Sequence, residues 1–548
     1  MSARTPPKIG NPRTRWRVAT LSLVYVLMGI HLAHWQLNER TLAPLELNEV
    51  MHTLELGVVT AGFLFMCVAT LSVLFFGRFF CSWGCHILAL EDLAAWLLAK
   101  ARIRPKLVRS RALLLVPSMA MAYMFIWPQL RRAAEHFVPE LVPENLRMPE
   151  FEWRVLADGE GWASFITTDY ARNLPGPGIT VLTFVVVGFL MVWVFGTRAF
   201  CRLACPYGAL FAGADKLAPG KIVLRGPCTG CGHCTAACAS HIRVHEETRA
   251  FGQVHDSACL KDLDCVAACP EGSLRFGFTT PALFHRAQAE KPQRRFDLSL
   301  GEDLLAGVVF VFALFAFRGL YGLLPFLLAL AMGGIAAAAA VVLWRVLRHG
   351  NAVLGRRTLK KDGRLSGVGS VAVLAASALL LLSAHSAWMR WHEWKGLSGL
   401  TELGAVQGSE ARPIAEATIA HFDLCARFGL AARDLRDQQC LSAAAAVADA
   451  GLARAALVRM TRRTPEDARL WRALGEAEAC RGDGAASRSA LEEAVRREPS
   501  FASWHDLGAV ALAQGDVVAA LQALENANRL QPQDEHTLAL LALARTRR

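Results

Sequence analysis

Residues 228–238 read C-T-G-C-G-H-C-T-A-A-C, and residues 259–270 read C-L-K-D-L-D-C-V-A-A-C-P. The first run is Cys228-x2-Cys231-x2-Cys234-x3-Cys238. The second repeats it with Cys259, Cys265 and Cys269-Pro270, but Asp262 stands where its second cysteine belongs. This spacing is that of iron–sulfur ligands, and in two-cluster proteins the last thiolate of each run serves the other cluster. The crossing assigns Cys228, Cys231, Cys234 and Cys269 to one centre. It assigns Cys259, Cys265 and Cys238 to a second, with Asp262 as the candidate fourth ligand. A carboxylate is a harder ligand than a thiolate. The second centre is therefore expected as an Asp-ligated [4Fe–4S] cluster, one with an open iron, or a [3Fe–4S] cluster. C-x2-C pairs also suit tetrahedral zinc, but the x2-x2-x3 run followed by Cys-Pro favours iron and sulfide.

The other residues are expected to carry electrons to and from these centres. Of 548 residues, 53% are hydrophobic, and the mean hydropathy is +0.30. That is too apolar for an ordinary soluble chain and predicts several membrane spans. The net charge of +12 is clustered beside apolar runs, a pattern of membrane orientation rather than nucleic-acid binding. Nothing in the sequence reads as a nucleotide fingerprint or a flavin motif.

Spanning-length apolar runs fall at 17–36, 54–76, 111–130, 179–197, 323–344 and 366–388. A shorter run, 304–320, is expected to form a hairpin with the fifth, giving about seven transmembrane helices. The first run has a basic leader but no small-residue cleavage site, so it reads as a retained helix. Residues 1–17, 77–110 and 345–364 carry five, six and seven Lys/Arg, whereas 131–177 is acid-rich, with Glu135, Glu140, Glu144, Glu150, Glu152, Asp158, Glu160 and Asp169. Seven crossings with the basic stretches inside put 198–302 in the cytoplasm and everything after Trp388 outside. Trp388, Trp391 and Trp394 fit an interfacial aromatic belt.

The tail is periodic. Trp471-x2-Leu474-Gly475 recurs as Trp504-x2-Leu507-Gly508, and Leu491, Ala494 and Pro499 recur as Leu524, Ala527 and Pro532. A period of 33–34 with W-x2-L-G resembles the tetratricopeptide repeat, whose helix pairs stack into a concave array. The expected layout is an N-terminal tail and first helix (1–53), a transmembrane core (54–215), a two-cluster insert (216–300), three further helices (301–390) and an all-α repeat solenoid (391–548). Cys425 and Cys440 in that outer domain read either as a disulfide or as two small buried side chains.

Two further cysteine pairs end apolar runs: Gly77-Arg-Phe-Phe-Cys81-Ser-Trp-Gly-Cys85-His86, and Arg198-Ala-Phe-Cys201-Arg-Leu-Ala-Cys205-Pro206. Brought together, they supply four thiolates beside arginines, a candidate site for a further cluster or metal. With these corners the chain resembles the membrane polyferredoxins over about 54–275. That family includes quinol-dehydrogenase subunits of periplasmic nitrate reduction (NapH type), nitrous-oxide-reductase maturation proteins (NosR type) and copper-reducing oxidase assembly proteins. The resemblance implies a bacterial inner-membrane protein in a multi-subunit complex, passing electrons between quinone and a periplasmic partner. The alternative it implies is an assembly factor that reduces copper or a thiol. His86 departs from the family proline and Asp262 from a family cysteine. C-x3-C-H is one residue too long for covalent haem attachment.

His31 and His34 share a face of the first helix, His52 begins the second, and His385 lies near the outer end of the last. Ionisable groups within a membrane are functional candidates. These four read as ligands of a b-type haem, as a quinone site, or as interfacial histidines bonded to backbone.

Overall fold

The computed structural model describes residues 12–103, 108–141, 147–159, 163–170, 176–289, 296–354, 357–406, 408–430 and 434–548. It divides into two units. One takes in the residues before Leu320 together with Leu323–Ser383; the other is Leu320–Gly322 with Ala384–Arg548. The first three expected segments and most of the fourth thus fall in one unit, and the long stretch of the second begins inside the helix Gly367–Leu403, ahead of residue 391. Glu144 and Glu160 of the acid-rich stretch lie outside the described residues.

Among the described residues, six helices are long and apolar enough to cross a membrane: Arg15–Asn38, Arg111–Phe137, Pro177–Phe195, Leu300–Phe317, Phe326–Arg348 and Gly367–Leu403. Their outer faces expose Leu115, Val181, Phe315 and Leu374, side chains that suit lipid better than water. The chain has the helices of a membrane protein.

The 54–76 run departs from expectation. Apart from Glu55 it carries no charge, but Gly57 turns left-handed (φ 77°) and ends a short helix, Val50–Leu56. Thr60 then caps a separate helix, Ala61–Phe76, of 16 residues, accepting from the Phe63 N–H. The 111–130 and 366–388 runs also reach further, to Phe137 and Leu403, because the flanking polar residues remain good helix formers.

The expected hairpin forms. Leu300–Phe317 packs on Phe326–Arg348, where Gly333 lets the Phe310 ring approach: an added Cβ would stand 3.2 Å from it. The Ser299/Glu302 capping box starts the first of these helices, and Arg345 Nε lies 2.6 Å from Glu302 Oε1. Ser110 donates to Asp303 at 2.7 Å, fastening the start of Arg111–Phe137 to the same end. Leu113, Val187, Met191, Phe195 and Leu330 fill the core between these helices.

In the second unit, paired helices repeat one contact. A Cβ added at Gly475 would meet Leu491 Cγ at 2.6 Å, and one at Gly508 would meet Leu524 Cγ at 2.6 Å. The helices Ala468–Cys480 and Gly484–Arg497 are followed by Phe501–Ala513 and Val517–Leu530, with Asp483 and Asp516 capping the second of each pair. Cys425 and Cys440 are not joined. Both are free, buried thiols, one facing the Met389 carbonyl and the other Asp423, so the disulfide reading is corrected.

Candidate metal centre

The insert begins with a two-stranded sheet. Gly220–Leu224 runs antiparallel to Leu274–Phe278, with Leu224 opposite Leu274. That register brings the residues after Leu224 against those before Leu274, so Cys228 and Cys269 meet. Arg225 N–H donates to Ser273 O at 2.8 Å, and Ser273 Oγ donates to Pro227 O at 2.6 Å, extending the closure. Cys228, Cys231, Cys234 and Cys269 line one cavity. Cys238, Cys259, Cys265 and Asp262 line another, walled by Ile222, Val244 and Val254. The eight residues assigned from spacing are thus gathered four and four, in the crossed pattern.

The two loops share a backbone. Gly230 (φ 72°) and Gly232 (φ 77°) flank Cys231; at the matching places Lys261 (φ 55°) and Leu263 (φ 65°) flank Asp262. The left-handed region costs a side chain roughly 1–2 kcal/mol per residue, so the second loop holds this shape against strain. Asp262 therefore occupies the place of Cys231. Their surroundings differ: Cys231 is exposed, whereas Asp262 is buried. All four donors of the second cavity are buried, and in that sense it is the enclosed one; in the first, Cys231 is exposed and only Cys234 is buried.

Burial pushes the Cys259 thiol up to about 11 and raises Cys238 and Cys265 well above the ordinary thiol range. These thiols ionise when a metal takes the place of their protons. Among the described residues no three His, Cys, Asp or Glu side chains converge on a single ion. The donors surround a cavity instead, which fits a cube that takes one ligand at each iron.

Substituting Asp262→Cys should fit the existing loop and supply the softer ligand. We expect the variant's second centre to keep its fourth iron after oxidation, where the native centre converts to a three-iron form. Electron paramagnetic resonance before and after oxidation reads the difference.

The two C-x3-C corners are built alike. Gly77 and Gly196 end their apolar helices, and an arginine precedes each of the short helices Phe79–Trp83 and Ala199–Leu203. Cys85 and Cys205 then adopt extended backbone as N-caps of His86–Lys100 and Pro206–Leu217. Both thiols thus sit at helix N-termini, where free N–H groups favour negative charge. The N–H groups of Ile87 and Leu88 lie beside the Cys85 sulfur. All four corner cysteines belong to one packed cluster. Burial drives Cys85 up to about 11 and Cys205 up to about 12. Arg78 and Glu91, both buried, are electrostatic neighbours of the sulfurs: Arg78 of Cys81, Cys201 and Cys205, and Glu91 of Cys201, while Glu91 also accepts from Phe200 N–H at 2.8 Å.

Both corners seat against the enclosed cavity. Ser82 Oγ donates to Leu260 O at 2.7 Å, Trp83 Nε1 to Lys261 O at 3.2 Å, and Arg78 Nη1 to Ser257 O at 3.0 Å. From the other corner Thr197 Oγ1 donates to Ala239 O at 2.7 Å. Asp215, after Cys205, lies 2.8 Å from Lys221 Nζ and also pairs with Lys261; all three side chains are almost fully buried. These charged partners were not legible in the spacing of the cysteines. The available signal was Lys261 itself, a lysine where the first loop has glycine.

Of the four histidines, His31, His34 and His385 make ring hydrogen bonds. His31 Nε2 bonds Leu42 O at 2.8 Å and its Nδ1 meets Tyr170 OH at 3.4 Å, while His34 Nδ1 bonds Thr41 Oγ1 at 3.0 Å. They anchor the first helix to the strand pair Thr41–Leu42 and Ile166–Thr167. His52 lies in the short helix Val50–Leu56, not at the start of a span. His385, in the second unit, bonds Phe428 O at 3.2 Å.

A family described as a 4Fe-4S binding domain matches residues 58–105 and 177–225. These stretches hold the corner cysteines, each with the apolar helix before it, rather than the 228–269 loops. Two curated proteins are similar over part of their length. YccM of Escherichia coli (strain K12), named as an electron transport protein, is 35% identical over 123 residues, 22% of this chain and 32% of YccM. The methylamine utilization ferredoxin-type protein MauN of Methylobacillus flagellatus is 29% identical over 184 residues, 33% of this chain and 52% of MauN. The chain thus spans between a third and about half of the length of these relatives. The family match and the cysteine-lined cavities together support iron–sulfur chemistry, at the corners as well as in the insert.

Proposed function

We propose that the chain is a membrane-anchored iron–sulfur electron-transfer protein. In this reading it links the quinone pool or a cytoplasmic donor to a periplasmic redox partner. The observation that carries it is the contiguity of three cysteine sites. The exposed cavity adjoins the enclosed one, where Cys234 and Cys265 are electrostatic neighbours. The enclosed one abuts the four-thiol corner through Ser82, Trp83 and Thr197. Bound iron–sulfur clusters supply one-electron carriers.

The chain's own residues do the rest. The open cavity around Cys231 gives a soluble donor access, and the apolar walls Ile222, Val244 and Val254 keep water from the inner one. Arg78 and the helix N-termini at Cys85 and Cys205 stabilise negative charge at the corner. The basic stretches at 77–110 and 345–364 favour a cytoplasmic insert, and the helix-pair repeats suit docking of an outer partner. YccM and MauN carry names of the same functional class.

Deleting the residues after Leu403 tests the docking role. The truncated protein should keep its iron and sulfide and still reduce a small artificial acceptor, while delivery to the native partner falls at least tenfold. Full-rate delivery would remove the repeats from the pathway; loss of iron would make them a folding element.

A further inference from the structure

We propose that Arg198 is a positioning charge that raises the reduction potentials of the enclosed cavity and the four-thiol corner together, relative to the exposed cavity. The inference rests on the iron–sulfur reading above and concerns a residue that the cysteine spacing does not assign.

Arg198 is among the largest fully buried side chains of the protein. It starts the short helix that carries Cys201, and it does so in left-handed backbone, φ 61° and ψ 27°. A glycine would take that conformation without strain, so the arginine is held there at a cost. Such strain persists where the surroundings over-determine it, commonly at functional sites. Arg198 Nη1 lies 2.6 Å from Asp92 Oδ1, and its electrostatic neighbours include Asp262 and Cys201. One guanidinium thus faces a candidate ligand of the enclosed cavity and a candidate ligand of the corner.

Asp92 is shared. Its other oxygen lies 3.0 Å from Arg17 Nη1, and Arg17 Nη2 lies 3.8 Å from Asp264 Oδ2. Neither arginine is fully hydrogen-bonded: Arg198 Nε and Nη2 and Arg17 Nε are buried without partners. Buried donors left unpaired are costly, so this positive charge is retained for its field. In a low-dielectric interior such a charge is felt strongly at short range. A cluster gains negative charge on reduction, so a nearby cation favours the reduced form.

The test is a redox titration of the full-length protein followed by electron paramagnetic resonance, with iron and sulfide counted in each variant. Arg198→Gln should lower the midpoints of the Cys238/Cys259/Cys265 centre and of the corner centre, and leave the Cys228/Cys231/Cys234/Cys269 centre in place. Arg198→Lys should restore most of the shift. Asp92→Asn keeps the arginine and removes its counter-charge, so it should move the same two midpoints upward. Unmoved midpoints, or equal shifts in all centres, overturn the proposal with the clusters intact. If Arg198→Gln does not fold, Asp92→Asn decides: a fall or no change overturns it. Native protein without iron and sulfide would sink the iron–sulfur reading and this inference with it.

Discussion

Replacing Asp215 with alanine is expected to destabilise the cluster-bearing unit by about 3–5 kcal/mol, the cost of breaking a buried ion pair by removing one partner. Lys221 Nζ lies 2.8 Å from the Asp215 carboxylate, Lys261 pairs with its other oxygen, and each of the three side chains is 1–2% exposed. Without the carboxylate, two ammonium groups remain buried and uncompensated. Asp215 also accepts from the Arg78 N–H at 3.1 Å, so the first corner loses an anchor as well. Asp215→Asn keeps the shape and should fall nearly as far. Adding Lys221→Met to Asp215→Ala removes one stranded charge and should recover part of the loss. Burial alone would raise the Asp215 pKa, but Lys261 and Lys221 hold it below the usual carboxylate range. Its contribution is therefore complete above pH about 4 and fades as pH falls through the lowered native value. Denaturant unfolding followed by iron release measures both effects.

Substituting Cys201→Ser is expected to empty the corner while sparing the insert. Cys201 lies in the second short helix, with Glu91, Cys85, Cys205 and Cys81 as its electrostatic neighbours. Serine conserves volume but does not replace a soft ligand. Loss of outer-shell partners already costs ~10–100-fold in metal affinity, and loss of a ligand should cost at least as much. Iron should fall by about four atoms per chain, the content of one cubane. Electron transfer beyond the insert should fall at least tenfold. Retention of all the iron would show that the corner does not hold a cluster.

The cysteine spacing anticipated which eight residues gather around the two cavities, because the crossed pattern follows from the repeat itself. It was not enough to show the break at Gly57, since 54–76 carries a single charged residue, Glu55, and the left-handed turn divides it. The corner pairs were visible as motifs, but their convergence depends on how two short helices pack, which local sequence does not encode. The buried charges were hidden for a different reason. Arg17, Arg198, Asp215 and Lys221 look like ordinary surface residues until tertiary packing encloses them. The surroundings of the histidines were hidden as well. His31 and His34 look like ligands at helical spacing, yet their rings close hydrogen bonds to a strand that the sequence does not announce. The repeat at 33–34 residues was legible because Gly475 and Gly508 are needed where Leu491 and Leu524 press against them.

The central claim is that three cysteine sites hold iron–sulfur clusters in one contiguous path. Counting iron, acid-labile sulfide, zinc and copper in anaerobically purified full-length protein tests it most directly. The account predicts about eleven to twelve iron atoms per chain, with matching sulfide: about four each at the exposed cavity and the corner, and three or four at the Asp262 cavity. About eight irons with copper at the corner would keep the insert and turn the corner towards metal reduction. Zinc in place of iron, with little or no sulfide, would contradict the account.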